Sequence, residues 1–433
     1  MAGEHSYAGF IRWMAASLLA GVLLTVLFVV VVDPYRLFRL VDVAGFNAVK
    51  PRPDHYQSEI KLAGAQALRP AIVLMGNSRI DVGVDPESKQ LGAAKRSAYN
   101  LAIPGTGVGT SRQQFDRLRA AGAAPATMLL GVEFFDFLLE PDGADAPGKP
   151  PPTGLARHRW KIDTVFSLDA LLDAVKTLRI QNDADAGTMT GRGFNPLFDY
   201  LRIAREEGYH AIFLQRAREN ARNFSLAPHG IVRTRSHGSA EWRDLGGLLD
   251  AAAREKTEIH LVIYPYHAQL MVMMEQTGLW PVFEQWKLRL LGEVARLNAA
   301  HPSARVMLWD FSGYGVLQCE PIPAKGDIVH GTRWYWESGH FKAALGERIL
   351  ERVFDAAGTQ SGTAEFGFRL DTASWNENRA RIARERRDCL AAEPAMFRDA
   401  AAMVADFQAR HPHKTHAAST NGVRSDIRTG ALP

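Results

Sequence analysis

Residues 71–79 read AIVLMGNSR, an apolar run that ends in glycine, asparagine, serine and arginine. The part from Ala71 to Met75 contains no polar side chain, which is typical of a parallel strand buried on both faces of a sheet. Helical stretches separate several similar runs, so the sequence predicts an α/β fold with a five-stranded parallel sheet. The other four predicted strands are Ser97 to Leu101, Thr127 to Val132, Ile259 to Tyr264 and Val306 to Phe311.

A second stretch, residues 13–32, reads WMAASLLAGVLLTVLFVVVV and carries no charge. As a helix it reaches about 30 Å, the thickness of a bilayer core. Its valines run directly into Asp33 and Pro34, without the small-residue cleavage site of a signal peptide. We therefore predict an uncleaved transmembrane anchor, with the membrane bilayer as a partner, and a soluble remainder.

The composition of the 433-residue chain excludes some classes of function. The 51 basic and 47 acidic residues give a net charge of only +4, so nucleic acid is not expected as a partner. Cys319 and Cys389 lie far apart and outside any metal-spaced motif. The sequence therefore indicates neither a disulfide framework nor a zinc site, and no metal or cofactor is predicted.

The chain divides by composition and pattern into seven parts. The long interval between the third and fourth strands begins with a segment rich in proline and glycine and continues with helical patterns, which favours an insertion or cap. The predicted parts are a cytoplasmic N-terminus (1–12), the anchor (13–32), the first part of the α/β domain (33–140), a mostly helical insertion (141–257), the second part of the domain (258–356), a C-terminal helical segment (357–411) and a disordered tail (412–433).

Polar residues that could carry chemistry follow the predicted strands. In an open parallel sheet, function gathers at the carboxyl ends of the strands. Ser78 follows the first strand, and Gly105 follows the second, where a glycine lets a backbone N–H approach a ligand oxygen. After the last strand, Glu337 and His340 are spaced to share one face at a helix start, where the carboxylate could orient the imidazole. This set would suit nucleophilic acyl chemistry.

Alternatives remain open from the residues alone. Asp327 and His330 have the same spacing and form an alternative acid and base pair. A serine in such a turn is also a common helix cap. Arg79 could form a salt bridge or contact an acidic substrate. The aromatic residues 334–336 could pack in the core or stack on a sugar.

The turn GNSR with Ser78, the segment from Asn100 to Gly105 and the late pair Glu337 and His340 together resemble the SGNH hydrolase superfamily. More narrowly they are similar to its membrane-anchored branch, which includes the alginate O-acetyltransferase proteins and the teichoic-acid D-alanyl transfer protein. The resemblance covers residues 33–131 and 259–354. It implies a flavodoxin-like three-layer fold, with Ser78 as nucleophile, His340 as general base and Glu337 at the position of the acid.

We also predict that residues around the turns after the first two strands supply the oxyanion and substrate-binding groups, namely Gly105, Asn100, Asn77 and Arg79. Two departures from the family pattern stand out. The usual acid is Asp rather than Glu, and the segment Gly131 to Phe134 lacks the asparagine that completes the family's oxyanion hole.

Two functions of different classes follow. The first is a membrane-anchored serine acyl-ester hydrolase or O-acyltransferase acting on an extracytoplasmic polysaccharide or a lipid-linked glycan, with a multispanning acyltransferase or a polysaccharide synthase as partner. The second is a catalytically degenerate SGNH-like protein that binds glycan or scaffolds an envelope polysaccharide export complex. Labelling of Ser78 by a fluorophosphonate would separate them.

The orientation of the anchor is predicted by two conflicting signals. Arg12 precedes the span, whereas Arg36, Arg39, Lys50 and Arg52 follow it, which by the positive-inside tendency places the domain in the cytoplasm. The family resemblance implies the periplasmic side of the inner membrane. Since large domains translocate despite such a bias, we predict a periplasmic domain.

Overall fold

The structure is a computed structural model that describes residues 4–92, 97–143, 154, 158–354 and 366–412. The predicted tail lies outside the described residues except for Pro412, and so does most of the proline- and glycine-rich segment before the insertion. The strands are β1 Ile72–Met75, β2 Ala98–Asn100, β3 Thr127–Val132, β4 Glu258–Ile263, β5 Val306–Asp310, β6 Tyr335–Glu337, β7 His340–Phe341 and β8 Phe368–Leu370.

Helices occupy most of the remaining described chain. They are α1 Glu4–Val32, α2 Gln57–Leu68, α3 Ser78–Gly83, α4 Lys89–Gly92, α5 Val108–Ala120, α6 Arg159–Asp163, α7 Leu168–Arg179, α8 Asp199–Ser225, α9 Ala240–Arg254, α10 Ala268–Gln276, α11 Trp280–Ala300, α12 Ala343–Phe354, α13 Trp375–Ala392 and α14 Pro394–Arg410.

The main sheet has six strands in the order β2-β1-β3-β4-β5-β8. The first five strands are parallel, and β8 pairs with β5 in the antiparallel direction. The α/β class is therefore confirmed, whereas the predicted count of five strands is wrong. The additional strand has only three residues, too few for a pattern to be recognised in the sequence.

Apolar side chains explain why this sheet lies inside the molecule. Every residue of β1 and of β3 is buried, as expected for strands covered on both faces. Helices α5 and α9 pack against each other, and α9 also contacts β4 and α11. Helix α12 instead contacts α3 and α4. The apolar side chains of these helices and of the sheet belong to one cluster of buried residues.

One helix in the described chain, α1, is apolar and long enough to cross a membrane. Within Tyr7–Val32, an 18-residue window has a mean hydropathy of 2.8. Leucines along α1 are more than half exposed, as in a helix that contacts lipid. Within the described part of the chain, α1 packs against the protein at its carboxyl end, where Val29 and Val32 are buried beside α7.

The carboxyl end of α1 is capped by side chains from the following segment. The Asn47 amide donates hydrogen bonds to the carbonyls of Val31 (3.4 Å) and Val32 (3.1 Å), and the Lys50 ammonium donates to Val32 (2.7 Å). The last carbonyls of a helix have no partner within the helix, and a cation there also offsets the helix dipole. Burial lowers the pKa of Lys50 to about 8.

Candidate active site

The turn after β1 places Ser78 at the first position of α3. Gly76 has a φ of 143°, and a Cβ there would lie 2.8 Å from the Tyr264 hydroxyl, so both backbone and space require glycine. The Asn77 side chain accepts a hydrogen bond from the Arg79 N–H (3.1 Å) and thereby caps the helix. The backbone conformation of the turn before Ser78 is therefore fixed. Ser78 itself is half-buried and lines a cleft.

Ser78 meets the predicted base and acid in one chain of contacts. The Ser78 Oγ lies 2.7 Å from His340 Nε2. His340 Nδ1 contacts the Glu337 carboxylate, whose second oxygen accepts a hydrogen bond from the Gly339 N–H (2.8 Å). If His340 is protonated at Nδ1, its Nε2 can accept the Ser78 proton. The structure thus brings together three residues that are far apart in sequence.

Glu337 is held in its charged form. Its burial by itself raises the pKa, but the neighbouring His340, the hydrogen bonds from His340 and Gly339, and the charge of Arg216 outweigh that effect. The pKa of Glu337 falls to about 2. Glu337 is therefore ionised at neutral pH and can orient the imidazole and stabilise an imidazolium.

The local structure around Glu337 and His340 differs from the expected helix start. The two residues belong to a two-stranded hairpin, β6 and β7, with Ser338 and Gly339 at the turn. The helix interpretation was wrong because a spacing of three also occurs across a tight hairpin. Ser338 is anchored by two neighbours, since its Oγ accepts from Asn220 (3.2 Å) and its carbonyl accepts from the His267 N–H (3.1 Å).

The hairpin of β6 and β7 packs closely against α3, the helix that begins at Ser78. A Cβ on Gly83, the last residue of α3, would lie 2.2 Å from the Phe341 ring. A Cβ on Gly346 in α12 would lie 1.7 Å from the Gly83 carbonyl oxygen. Gly83 therefore lets β7 approach α3, and Gly346 lets α12 approach α3.

The alternative pair, Asp327 and His330, lies elsewhere. The two side chains bond to each other at 2.8 Å, and the His330 side chain is 80% exposed. Neither residue lines the cleft beside Ser78, where His340 already occupies the position of a base. Of the two predicted pairs, only Glu337 and His340 meet the serine.

The structure gives a different role to Asn100, which was predicted to bind substrate. Its side chain is buried and donates to the carbonyls of Ile80 (2.8 Å) and Val84 (2.9 Å). Its own oxygen accepts from the Ala102 N–H (3.0 Å). Asn100 therefore joins the end of α3 to β2, and both its amide nitrogen and its amide oxygen form hydrogen bonds within the protein.

Arg79 and Asn77, also predicted around the substrate, point into a buried network. Arg79 forms an ion pair with Glu133 and lies over the rings of Tyr264 and Tyr266. Asn77 donates to the same Glu133 (3.3 Å), which also accepts from the Tyr266 hydroxyl (2.6 Å). The salt-bridge interpretation of Arg79 agrees with this arrangement, and neither side chain lines the cleft.

Gly105 is the last of the predicted oxyanion residues. It has a φ of 69°, in the region that favours glycine, and open space surrounds it. Its neighbour Pro104 lines the cleft together with Ser78. The Ile103 N–H bonds the Gly76 carbonyl (3.1 Å), which ties this loop to the serine turn. The loop thus lies near Ser78, whereas Gly105 itself is not part of the cleft wall.

The cleft has a volume of about 370 Å³ and receives much of its wall from the predicted insertion. Tyr200 and Arg216, both on α8, line it together with Trp336 and Glu337, and Tyr200 packs edge-on against Trp336 with ring centres 5.9 Å apart. Sequence reasoning did not single out Tyr200 or Arg216, because the insertion carries no motif. The interpretation of residues 141–257 as an insertion or cap is the only sequence signal that pointed to Tyr200 and Arg216.

A buried ion pair between Lys61 and Asp81 stabilises α3, the helix that begins at Ser78. Asp81, one turn after Ser78, accepts from the Lys61 ammonium (2.5 Å) and from the Asn195 amide (3.2 Å). Lys61 also donates to the Ala102 carbonyl (2.7 Å), and burial lowers its pKa. These bonds join α2, α3, the loop after β2 and the insertion. Among the described residues, no group of three or more His, Cys, Asp or Glu side chains could hold a metal ion.

Comparisons with known proteins do not add to this geometry. The chain matches no protein-family model, no curated protein and no solved structure.

Proposed function

We propose that this protein is a membrane-anchored serine acyl-ester hydrolase or O-acyltransferase of the SGNH type, acting on an extracytoplasmic polysaccharide or a lipid-linked glycan. The contact chain from Ser78 through His340 to Glu337 carries the proposal. The order of the parallel strands, β2-β1-β3-β4-β5, supports it as well, because flavodoxin-like sheets have that order.

The proposed chemistry has two steps. Ser78 Oγ attacks an acyl carbonyl while His340 Nε2 takes its proton, and the alcohol of the ester leaves with that proton. A water molecule or a sugar hydroxyl then attacks the acyl-serine, giving a free acid or a new ester. The backbone N–H of Ser78 supports oxyanion stabilisation, because the first N–H groups of a helix have no partner within the helix.

A fluorophosphonate probe tests the activated serine on the full-length protein. We expect covalent labelling that disappears in Ser78→Ala and in His340→Ala. Ser88→Ala is a matched control, because its hydroxyl bonds Glu347 (2.8 Å) near the same helices but does not line the cleft. Labelling that persists in Ser78→Ala, or its absence from the folded parent, would refute the proposed chemistry.

The degenerate, glycan-binding alternative is favoured by one observation. Gly131 stands in the segment where the family usually carries an oxyanion asparagine, and a Cβ there would lie 2.3 Å from the Tyr264 hydroxyl. Tyr264 therefore leaves no room for a side chain at that position. Glycan binding without any labelling of Ser78 would support this alternative.

The placement of the domain on the periplasmic side is part of the same proposal. Cys319 and Cys389 form a disulfide with Cα atoms 5.8 Å apart, a bond that the sequence did not indicate. Disulfides persist in oxidising compartments and are rare in the cytosol. A phosphatase fused to the C-terminus should therefore be active in cells, and an inactive, correctly folded fusion would contradict this orientation.

A further inference from the structure

An exposed apolar surface lies on α6, on α7 and on the turn between them, and α7 packs beside the end of the anchor. Ile162, Phe166, Leu168 and Leu172 are each more than half exposed to solvent. We call these four side chains the α7 patch. Such a cluster of exposed large apolar residues is unusual on a domain that contacts only water, and it generally marks a binding surface.

Helix α7 is fixed directly against the carboxyl end of α1. Ala170 and Ala174 of α7 are buried in one cluster with Val29 and Val32 of α1. The Tyr35 hydroxyl, just after the anchor, donates to the Asp173 carboxylate (2.7 Å). The depth of α7 relative to a bilayer is therefore set by the anchor helix.

The sides of α7 have different partners. At 100° per residue, Ala170 and Ala174 face α1, whereas Asp169 and Asp173 lie on a second side. That second side faces the domain, because Asp173 bonds Tyr35 and Asp169 lies 3.8 Å from His55. Leu168 and Leu172 project away from both the anchor and the domain.

The loop that follows the anchor also exposes large apolar side chains. Leu40 and Val43, in the loop that follows the anchor, are also more than half exposed. The loop is ordered by Asp33, whose carboxylate accepts three backbone N–H groups, from Leu37 (2.8 Å), Phe38 (3.0 Å) and Arg39 (2.7 Å). Exposed apolar side chains are thus present both on α7 and in the ordered loop at the end of the anchor.

Residues at the start of α6 have the composition of a membrane interface. Trp160 is flanked by Arg159 and Lys161, and the Lys161 ammonium lies 5.8 Å from the centre of the Trp160 ring. Tryptophan and basic residues are enriched where a protein crosses from hydrocarbon to water. The Tyr56 hydroxyl bonds Asp163 (2.5 Å) and ties α6 to the segment before α2.

From these contacts we infer that α6 and α7 form a second membrane contact, in which the α7 patch lies in the lipid leaflet at the carboxyl end of α1. The occupant is lipid because α7 packs against the carboxyl end of a helix that is apolar enough to span a bilayer, which places the exposed side of α7 at the depth of that end. A domain that contacts the bilayer at two places cannot tilt freely relative to the membrane plane. The second contact therefore fixes how the domain faces the bilayer.

This contact also determines where the cleft lies. Residues 52, 53, 54 and 57 line the cleft, whereas His55 and Tyr56 between them contact α7 and α6. The cleft wall and the membrane contact thus share one short segment. If the proposed function is correct, the cleft opens close to the lipid surface, within reach of a membrane-bound acyl donor or glycan.

The test places an environment-sensitive fluorophore on single cysteines in the full-length protein reconstituted in vesicles, with the native cysteines left in their disulfide. The probe sites are Leu168→Cys and Leu172→Cys. Leu288→Cys is the matched control, an exposed leucine on α11, which packs against β5 towards the other end of the sheet from β2. Thermal unfolding of each variant confirms that it is folded.

We expect nitroxide groups on the lipid acyl chains to quench the probes at residues 168 and 172 strongly and the probe at residue 288 hardly at all. Equal, weak quenching at all three sites would overturn the inference. Blue-shifted emission at 168 and 172 without quenching by lipid would also overturn it, because protein would then cover the patch. None of these readouts depends on Ser78, so failure of the proposed enzyme activity is a separate result.

Discussion

Glu337 is the residue whose charge state most directly affects the site. Replacing it with Gln removes the charge that stabilises an imidazolium and leaves an amide that can hold the wrong tautomer of His340. We expect the rate of fluorophosphonate labelling to fall on the order of 10⁴-fold, as for the equivalent change in a serine protease triad. Glu347→Gln is the control, since that carboxylate bonds only Ser88 among the described contacts.

The substitution Glu337→Gln should also change how the free energy of unfolding depends on pH. The folded-state pKa of Glu337 is about 2 and its ordinary value is 4.5, so its ionised form stabilises the fold above the ordinary value. That contribution is lost as the pH falls from 4.5 towards 2. Urea unfolding of Glu337→Gln should therefore depend less on pH in this window than unfolding of the parent. An unchanged dependence would contradict the contact with His340.

Asn100 offers a contrasting test at the residue scale. Asn100→Ala leaves two buried carbonyls, of Ile80 and Val84, without their donor, and each unsatisfied group costs about 1–3 kcal/mol. We expect a lower free energy of unfolding and, below the unfolding transition, labelling of Ser78 at nearly the parental rate. Lost labelling in a fully stable variant would instead support the substrate-binding role predicted from sequence.

At the scale of single elements, the glycine contact between α3 and α12 controls how His340 reaches Ser78. A Cβ on Gly346 would lie 1.7 Å from the Gly83 carbonyl oxygen, so Gly346→Ala must push the two helices apart. We expect lower stability, by about 1–3 kcal/mol as for other overpacked cores, together with slower labelling of Ser78.

The control for this change is Gly292→Ala on α11, where no heavy atom lies within 4 Å of the added methyl group. An alanine in a helix interior should stabilise the fold by about 0.5–1 kcal/mol there and leave labelling unchanged. The outcome that contradicts close packing is a Gly346→Ala protein as stable and as reactive as the parent.

Elements that carry a strong local pattern were predicted correctly. Strand β3 was expected at Thr127 to Val132 and has those bounds, because an apolar run buried on both faces is recognisable without tertiary context. The hairpin of β6 and β7 was interpreted as a helix start, since Glu337 and His340 fit helical spacing equally well. Its strands are two and three residues long, and its position depends on contacts with α8 and His267.

Among the site residues, too, some could be predicted from a local sequence pattern and others could not. Ser78 follows a clear strand and could be singled out, whereas the pairing of Lys61 with Asp81 joins two elements whose approach the sequence does not encode locally. Asn100 was predicted to bind substrate because it follows a strand. Its amide nitrogen instead donates to the carbonyls of Ile80 and Val84, which lie near it only in the folded protein. The disulfide could not be inferred, because two cysteines 70 residues apart give no spacing signal.

At the scale of the whole molecule, the disulfide joins the loop after β5 to α13 and so fastens the C-terminal helices to the domain. It closes a loop of about 70 residues, and removing such a bond typically costs about 2–4 kcal/mol. The double variant Cys319→Ala, Cys389→Ala should therefore unfold at a lower urea concentration than the oxidised parent, and reduction of the parent should have a similar effect.

This change should leave the proposed chemistry intact, because the sulfur atoms are not part of the cleft wall. In native conditions, labelling of Ser78 should continue at the parental rate, which separates a structural role of the disulfide from a catalytic one. Expression in an oxidising and in a reducing compartment supplies the corresponding comparison for the parent chain. Equal stability of the two preparations, with free thiols in both, would show that the bond does not form, and the argument from the disulfide for a periplasmic domain would then fail.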